Sequence, residues 1–171
     1  MTIAVFPGSF DPFTSGHRAV VRRARTMFDT VVVGVAKNPG KSPLLTVEQR
    51  VNLIREVFAE DPGVTADIIP GLVVDYCHEV GAHSIFKGLR GGADLDAELP
   101  MALMNRHMGV ETVFVIADPE FAHIASSFVK EIALHGGPID DLVPEPVAAV
   151  IHAALAPTHS STPDTTAEGQ S

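Results

Sequence analysis

The sequence predicts a single-domain α/β fold, a doubly wound five-stranded parallel sheet with helices on both faces. Short β-branched runs that are apolar on both faces alternate with helical patterns through most of the chain. Buried parallel strands and their crossover helices leave that pattern. The 171 residues are 46% hydrophobic, enough to bury one core. The formal net charge is −9. That argues against a nucleic-acid partner, whose binding surface draws its affinity from broad basic patches. It leaves room for local cationic sites that take small anions.

The elements follow in order. Strands are expected over residues 3–6, 31–35, 64–69, 84–87 and 112–116. Helices are expected over 16–27, 47–58, 72–80, 94–107, 126–134 and 146–155. The first strand stops at Pro7 and Gly8. The first helix places Val20, Ala24, Met27 and Phe28 on an apolar stripe and Arg18, Arg22 and Arg25 on a solvated one. Thr46 and Gln49 fit a capping box that opens the second helix. Pro100 interrupts the fourth, so that either the regular helix starts near Pro100 or it kinks there. Met101, Met104 and Met108 fall on one face of it, with core packing as the first reading and a subunit interface as the second. Gly136-Gly137-Pro138 closes the fifth helix. From Pro157 the chain is almost free of apolar residues, which divides it into a domain over 1–156 and a disordered tail over 157–171.

No apolar run of 18 residues is present, so no membrane span is expected. The N-terminus lacks a charged region followed by an apolar one, as a secretory signal would have. Cys77 is the single cysteine and sits among apolar residues. It reads as a buried thiol in a reducing compartment, and the expected location is cytoplasmic.

Three segments carry chemistry. Pro7-Gly8-Ser9-Phe10-Asp11-Pro12-Phe13-Thr14-Ser15-Gly16-His17 joins the first strand to the first helix. The N–H groups of a helix's first turn lack intrahelical partners and carry the positive end of its dipole, which favours phosphate. Thr14 and His17, three residues apart, share a helix face and can address one ligand. The second segment, Phe86-Lys87-Gly88-Leu89-Arg90-Gly91-Gly92, sets two cations among three glycines whose N–H groups can approach phosphate oxygens. With strand order 3-2-1-4-5, strands one and four meet at the switch point, and both loops face the crevice outside their carboxyl ends. The loop 37–43, with Lys37 and Lys41, opens at the carboxyl end of the second strand. The third segment, 121–130, follows the fifth strand. Its Ser126 and Ser127 can cap a helix or donate to phosphate. The remaining histidines show no metal-ligand spacing, and no protein metal ligand is assignable.

Gly-Ser-Phe-Asp-Pro followed by Thr-x-Gly-His resembles the signature of the nucleotidyltransferase superfamily, whose fold is Rossmann-like. Further matching segments are Thr46-x-Glu48-x-Arg50, Lys87-Gly88-Leu89-Arg90, Met104-Asn105-Arg106-His107 and Ser-Ser-Phe-Val-Lys-Glu. With them the chain resembles the phosphopantetheine adenylyltransferases from Ile3 to about Leu155. The resemblance implies transfer of the adenylyl group of ATP to 4'-phosphopantetheine in coenzyme A synthesis. It implies that Ser9, Phe10 and His17 meet ATP, with Ser9 also touching the acceptor. Gly88, Leu89, Arg90 and Glu98 bind the nucleotide, and Phe121, Ala122, His123, Ile124, Ala125, Ser126 and Ser127 close over the triphosphate. Lys41 and Lys87 hold the acceptor's phosphate region, and Val73 lies against its pantetheine arm. His17, Lys41 and Arg90 form the implied catalytic set, with magnesium on ATP. A homohexamer and feedback by coenzyme A are further family traits. The family usually has Ser at position 125, an aromatic at 97, a polar residue at 100 and an aromatic or apolar residue at 123. This chain has Ala125, Ala97, Pro100 and His123, which implies weakened or rearranged adenosine-side contacts. The competing readings are another small-molecule nucleotidyltransferase, such as a nicotinamide mononucleotide adenylyltransferase, and a nonenzymatic nucleotide-binding regulator.

Overall fold

A computed structural model describes residues 1–37 and 42–156. The elements run β1 (Ile3–Gly8), α1 (Ser15–Ala24), β2 (Thr30–Ala36), α2 (Val47–Val57), β3 (Val64–Ile69) and α3 (Val73–Glu79). There follow β4 (Ser84–Leu89), α4 (Gly92–His107), β5 (Glu111–Ile116), a single 3-10 turn (Pro119–Phe121), α5 (Ser126–Leu134) and α6 (Glu145–Leu155). All strand pairs are parallel, in the order β3-β2-β1-β4-β5. The expected topology is the observed one. Lys41 and the tail 157–171 lie outside the described residues.

Alternation along the strands sends side chains to two cores. Ala4 and Phe6 of β1 join Val31, Val33 and Val35 of β2 beneath α1, α2, α5 and α6. Val5, Val32, Ile69 and Ile85 point the other way, against Val74, Tyr76 and Cys77 of α3. Cys77 is fully buried, and burial pushes its thiol up to about 11, which suits the apolar reading.

Several local signals act as read. Thr46 and Gln49 form the reciprocal capping box, Gln49 N–H to the Thr46 hydroxyl at 3.2 Å and Thr46 N–H to Gln49 Oε1 at 2.8 Å. Past α5, Gly136 takes φ 72°. Gly137 N–H reaches the Ile132 carbonyl at 2.9 Å and Gly136 N–H that of Ala133 at 3.0 Å, a Schellman closure.

Other expectations need correction. β1 does not stop at Phe6 but runs through Pro7 and Gly8 in register with β2. β4 pairs with β1 only at Ala4 and Val5. Pro7 is therefore paired on one side only, where a missing N–H costs least. α4 does not begin near Pro100, for it runs from Gly92 with Pro100 inside it. Met101 and Met104 are exposed rather than core, and only Met108 packs against the second core. α1 ends at Ala24, so Met27 leaves the apolar stripe and lies 46% exposed. Arg25 is not on a solvated face. It donates to the carbonyls of Phe28 and Asp29 at 2.6 Å each and pairs with Asp61 at 3.2 Å.

Candidate active site

The crevice lies outside the carboxyl ends of β1 and β4, where an open α/β sheet puts its ligand. It encloses about 720 Å³, within the usual range for small-molecule sites. Of the residues singled out in the sequence, Ser9, Phe10, His17, Lys87, Gly88, Arg90, Glu98, Phe121, Ile124, Ala125, Ser126 and Ser127 line it. Leu89 follows Gly88 but its side chain is buried in the sheet. Val73, Ala122 and His123 are not among the lining residues. Val73 opens α3 and packs on the second core, and His123 is exposed.

His17 is held by Thr14 and by three phenylalanine rings. The Thr14 N–H donates to Nδ1 at 3.0 Å, and the Thr14 hydroxyl stands 3.1 Å from the same nitrogen and accepts from the His17 N–H at 3.3 Å. Helix spacing lets Thr14 and His17 address one ligand; in the structure Thr14 is buried, and its hydroxyl caps α1 beside the imidazole. Since a backbone N–H can only donate, Nδ1 must be the acceptor, and the neutral ring carries its proton on Nε2. Phe10 meets the ring edge-on at 5.0 Å, with Phe13 at 5.4 Å and Phe6 at 6.2 Å. Burial, reinforced by the Arg90 charge, lowers the His17 pKa from 6.5 to about 4. The ring is therefore a neutral donor at physiological pH.

The two cations at the carboxyl end of β4, Lys87 within the strand and Arg90 just past it, each have a carboxylate of their own. Lys87 Nζ lies 3.3 Å from Glu98, and Arg90 donates to Asp94 at 3.0 and 3.1 Å. Asp94 and Glu98 stand one turn apart on α4. The Arg90 guanidinium holds the Asp94 carboxyl below the usual carboxylate range. Gly88 is needed for a reason besides phosphate access. A Cβ there would come within 2.6 Å of Val20 Cγ2, so α1 packs directly on the strand. Gly91 and Gly92 face open space.

Ser126 and Ser127 do not cap α5. Ala125 holds the cap position without a side-chain bond, and both serines are already helical. The Ser126 hydroxyl donates to the Pro12 carbonyl at 2.9 Å, which leaves the first-turn N–H groups of α5 without side-chain acceptors. Sequence reading passed over Asp11, Arg50 and Lys130, which also line the crevice. Their family segments were visible, but their contacts join parts of the chain up to 119 residues apart. Lys37, Arg50, Lys87, Arg90 and Lys130 collect here in an otherwise acidic protein. The arrangement can bind phosphates and donate to an oxyanion. Among the described residues no three or more His, Cys, Asp or Glu side chains cluster as metal ligands would.

The cytidylyltransferase-like family model matches residues 5–132. A phosphopantetheine adenylyltransferase of Nocardioides sp. is 49% identical over 157 residues, covering 91% of this chain and 99% of the relative. That of Kocuria rhizophila is 50% identical over 149 residues, covering 86% and 96%. A crystal structure from Vibrio parahaemolyticus, described as a nicotinate-nucleotide adenylyltransferase, superposes with a TM-score of 0.62 over 88% of this chain and 99% of that one. At 15% identity that likeness shows the fold alone.

Proposed function

Because the chain belongs to the phosphopantetheine adenylyltransferases, within the cytidylyltransferase-like family, we infer that its crevice transfers the adenylyl group of ATP to 4'-phosphopantetheine. The products are dephospho-coenzyme A and pyrophosphate. A phosphate oxygen of the acceptor forms a bond to the α-phosphorus, and the bond from that phosphorus to the β-bridging oxygen breaks. The acceptor is a phosphate monoester with a second pKa near ~6, so no base need remove its proton. What remains is negative charge growing on the α-phosphate and on pyrophosphate, which preorganised donors and cations offset.

The observation that carries the assignment of roles is the Thr14 N–H bond to Nδ1 of His17, which leaves Nε2–H as the neutral ring's N–H donor for a ligand. In this reading that hydrogen bonds an α-phosphate oxygen as the transition state forms. Arg90 with the backbone of Gly88 and Leu89 holds the nucleotide, and Glu98 lies toward its sugar or base. Residues 121–127 lie along the triphosphate. Lys87, Ser9 and Lys41 hold the acceptor, and Val73 its pantetheine arm. Magnesium arrives as the ATP complex, bound through triphosphate oxygens and water.

Assembly into a hexamer of identical subunits belongs to the same reading. It is supported by α4, whose apolar side chains Leu99, Met101, Leu103 and Met104 are 44%, 59%, 57% and 54% exposed. A cytoplasmic setting suits the buried free thiol of Cys77.

Pyrophosphate release measured for ATP or CTP against phosphopantetheine, nicotinamide mononucleotide and glycerol phosphate tests the reaction. Turnover is expected with ATP and phosphopantetheine; turnover with another pair instead, or nucleotide binding without turnover, would overturn it.

A further inference from the structure

Lys130 is a crevice cation that the roles above leave unused. It lies one turn after Ser126 on α5 and lines the crevice. Its ammonium pairs with Asp11 Oδ2 at 3.4 Å and donates to the carbonyl of Ser42. Asp11, 13% exposed at its side chain, also accepts from the N–H groups of Leu44 and Leu45 at 2.8 and 2.9 Å. Beside it, Arg50 Nη1 donates to the Ser9 carbonyl at 2.6 Å and Nε to that of Thr46 at 3.2 Å. Three segments distant in sequence, 9–11, 42–46 and 126–130, therefore meet in one knot of charge-assisted bonds. Within it, Lys130 is the contact from α5 to the segment that follows Lys41.

We propose that Lys130 is a positioning residue of the transfer, tying the acceptor-side turn 9–11, and with it the segment 42–46, to the helix whose first turn faces the triphosphate. The proposal rests on the reaction assigned above and on Ser9, two residues before Asp11 and held at its carbonyl by Arg50, serving the acceptor. Nucleophile and phosphorus must stand ~3–3.5 Å apart and in line before they react. The groups that hold the two ligands belong to different elements, so their separation is only as fixed as the bonds between those elements. A lysine suits the bridge. Its four-carbon stem reaches out from the helix, and three N–H donors let one ammonium serve a carboxylate and a carbonyl together. The bridge crosses between the two half-sites without needing a phosphate on it.

Lys130→Met and Lys130→Arg in the full chain test this, with steady-state pyrophosphate release and with calorimetric titration of ATP alone. The methionine variant is expected to raise KM for phosphopantetheine and lower its kcat/KM by about tenfold or more, the scale of a misplaced reactant. The dissociation constant for ATP in the absence of acceptor should stay within about twofold, and arginine should restore most of the loss. Lys130→Gln, neutral but still a donor, should behave as methionine does and replaces it if that variant fails to fold. Unchanged acceptor kinetics would overturn the proposal. So would an equal loss of ATP affinity, which would make Lys130 a direct phosphate ligand. Absence of turnover by the wild-type chain with this substrate pair would instead overturn the reaction assignment, and this proposal with it.

Discussion

The backbone N–H of Thr14 donates to Nδ1 of His17 at 3.0 Å, and that one bond decides which end of the imidazole faces the crevice with a proton. His17→Ala removes the Nε2–H donor and is expected to lower kcat by about 10²-fold or more, the scale of one lost oxyanion-type donor. ATP affinity should change much less, because the donor acts on charge that grows only in the transition state. Pyrophosphate-release kinetics beside calorimetric ATP titration check the split. Near-normal turnover in a folded variant would remove His17 from the mechanism.

The same ring predicts a pH effect on stability. The imidazole takes a proton near pH 6.5 when unfolded and only near pH 4 when folded. Between those values the unfolded chain binds more protons, so stability falls as acid is added. The contribution is whole above 6.5, drains away down to about 4 and is constant below. The full displacement corresponds to about 3 kcal/mol. Urea unfolding at pH 7 and pH 4 should show the wild-type chain losing up to that much more than His17→Gln. Parallel losses would mean the folded ring titrates normally.

How much of this was legible depends on how far apart the interacting residues lie in the chain. The capping box at Thr46 and the closure at Gly136 are local, and residue types at fixed spacing report them. So is the phosphate-favouring turn before α1. The doubly wound sheet follows from apolar runs that repeat in strict alternation. Pro7 misled because a residue's cost in a strand depends on its neighbours, and one-sided pairing with β2 is a tertiary fact. Met101 and Met104 misled for a similar reason. An apolar stripe reads the same whether it covers a core or the outside of a subunit. Asp11, Arg50 and Lys130 bridge segments that only the fold brings together, and the pairing of Arg90 with Asp94 carries no signal beyond an i, i+4 spacing common on any helix.

Gly88 and Gly91 separate packing from ligand access. Gly88→Ala would set a Cβ 2.6 Å from Val20 Cγ2 and 3.3 Å from Cγ1, and Val20 is itself 6% exposed. The helix must shift, at a cost of about 1–3 kcal/mol. Gly91 has extended backbone at φ −175° and open space at the Cβ position, so Gly91→Ala should leave the thermal midpoint unchanged. Adding Val20→Ala to Gly88→Ala should return part of the loss, as neighbouring sites couple. Additive losses would show that the close approach is relieved elsewhere.

Leu103→Glu with Met104→Glu puts charge among the exposed apolar side chains of α4. Sedimentation should show the wild-type chain as an assembly of several copies and the double variant as smaller species, with the far-ultraviolet dichroism of the folded chain kept. A wild-type chain that sediments as a monomer would rule out the assembly.

Lys87 and Arg90 should divide the two substrates between them. They are three residues apart, Lys87 in β4 and Arg90 just past it, yet each is held by a different carboxylate, Lys87 by Glu98 at 3.3 Å and Arg90 by Asp94 at 3.0 Å. Asp94 and Glu98 are spaced one turn along α4, so the two cations are set at two stations of the crevice. Burial, and after it the Arg90 charge, lowers the pKa of His17, so Arg90 stands near that ring, and the function proposed above gives it the nucleotide. Lys87 is then left for the acceptor phosphate. A hydrogen bond to a charged group contributes about 1.5–3 kcal/mol, or roughly 10- to 150-fold in affinity. Lys87→Ala should weaken phosphopantetheine binding by that order and ATP binding by much less, and Arg90→Ala the reverse. Calorimetric titration of each variant with each ligand alone decides between the assignments. Equal losses of both ligands in both variants would mean one shared anion site, and the two stations would have no functional meaning.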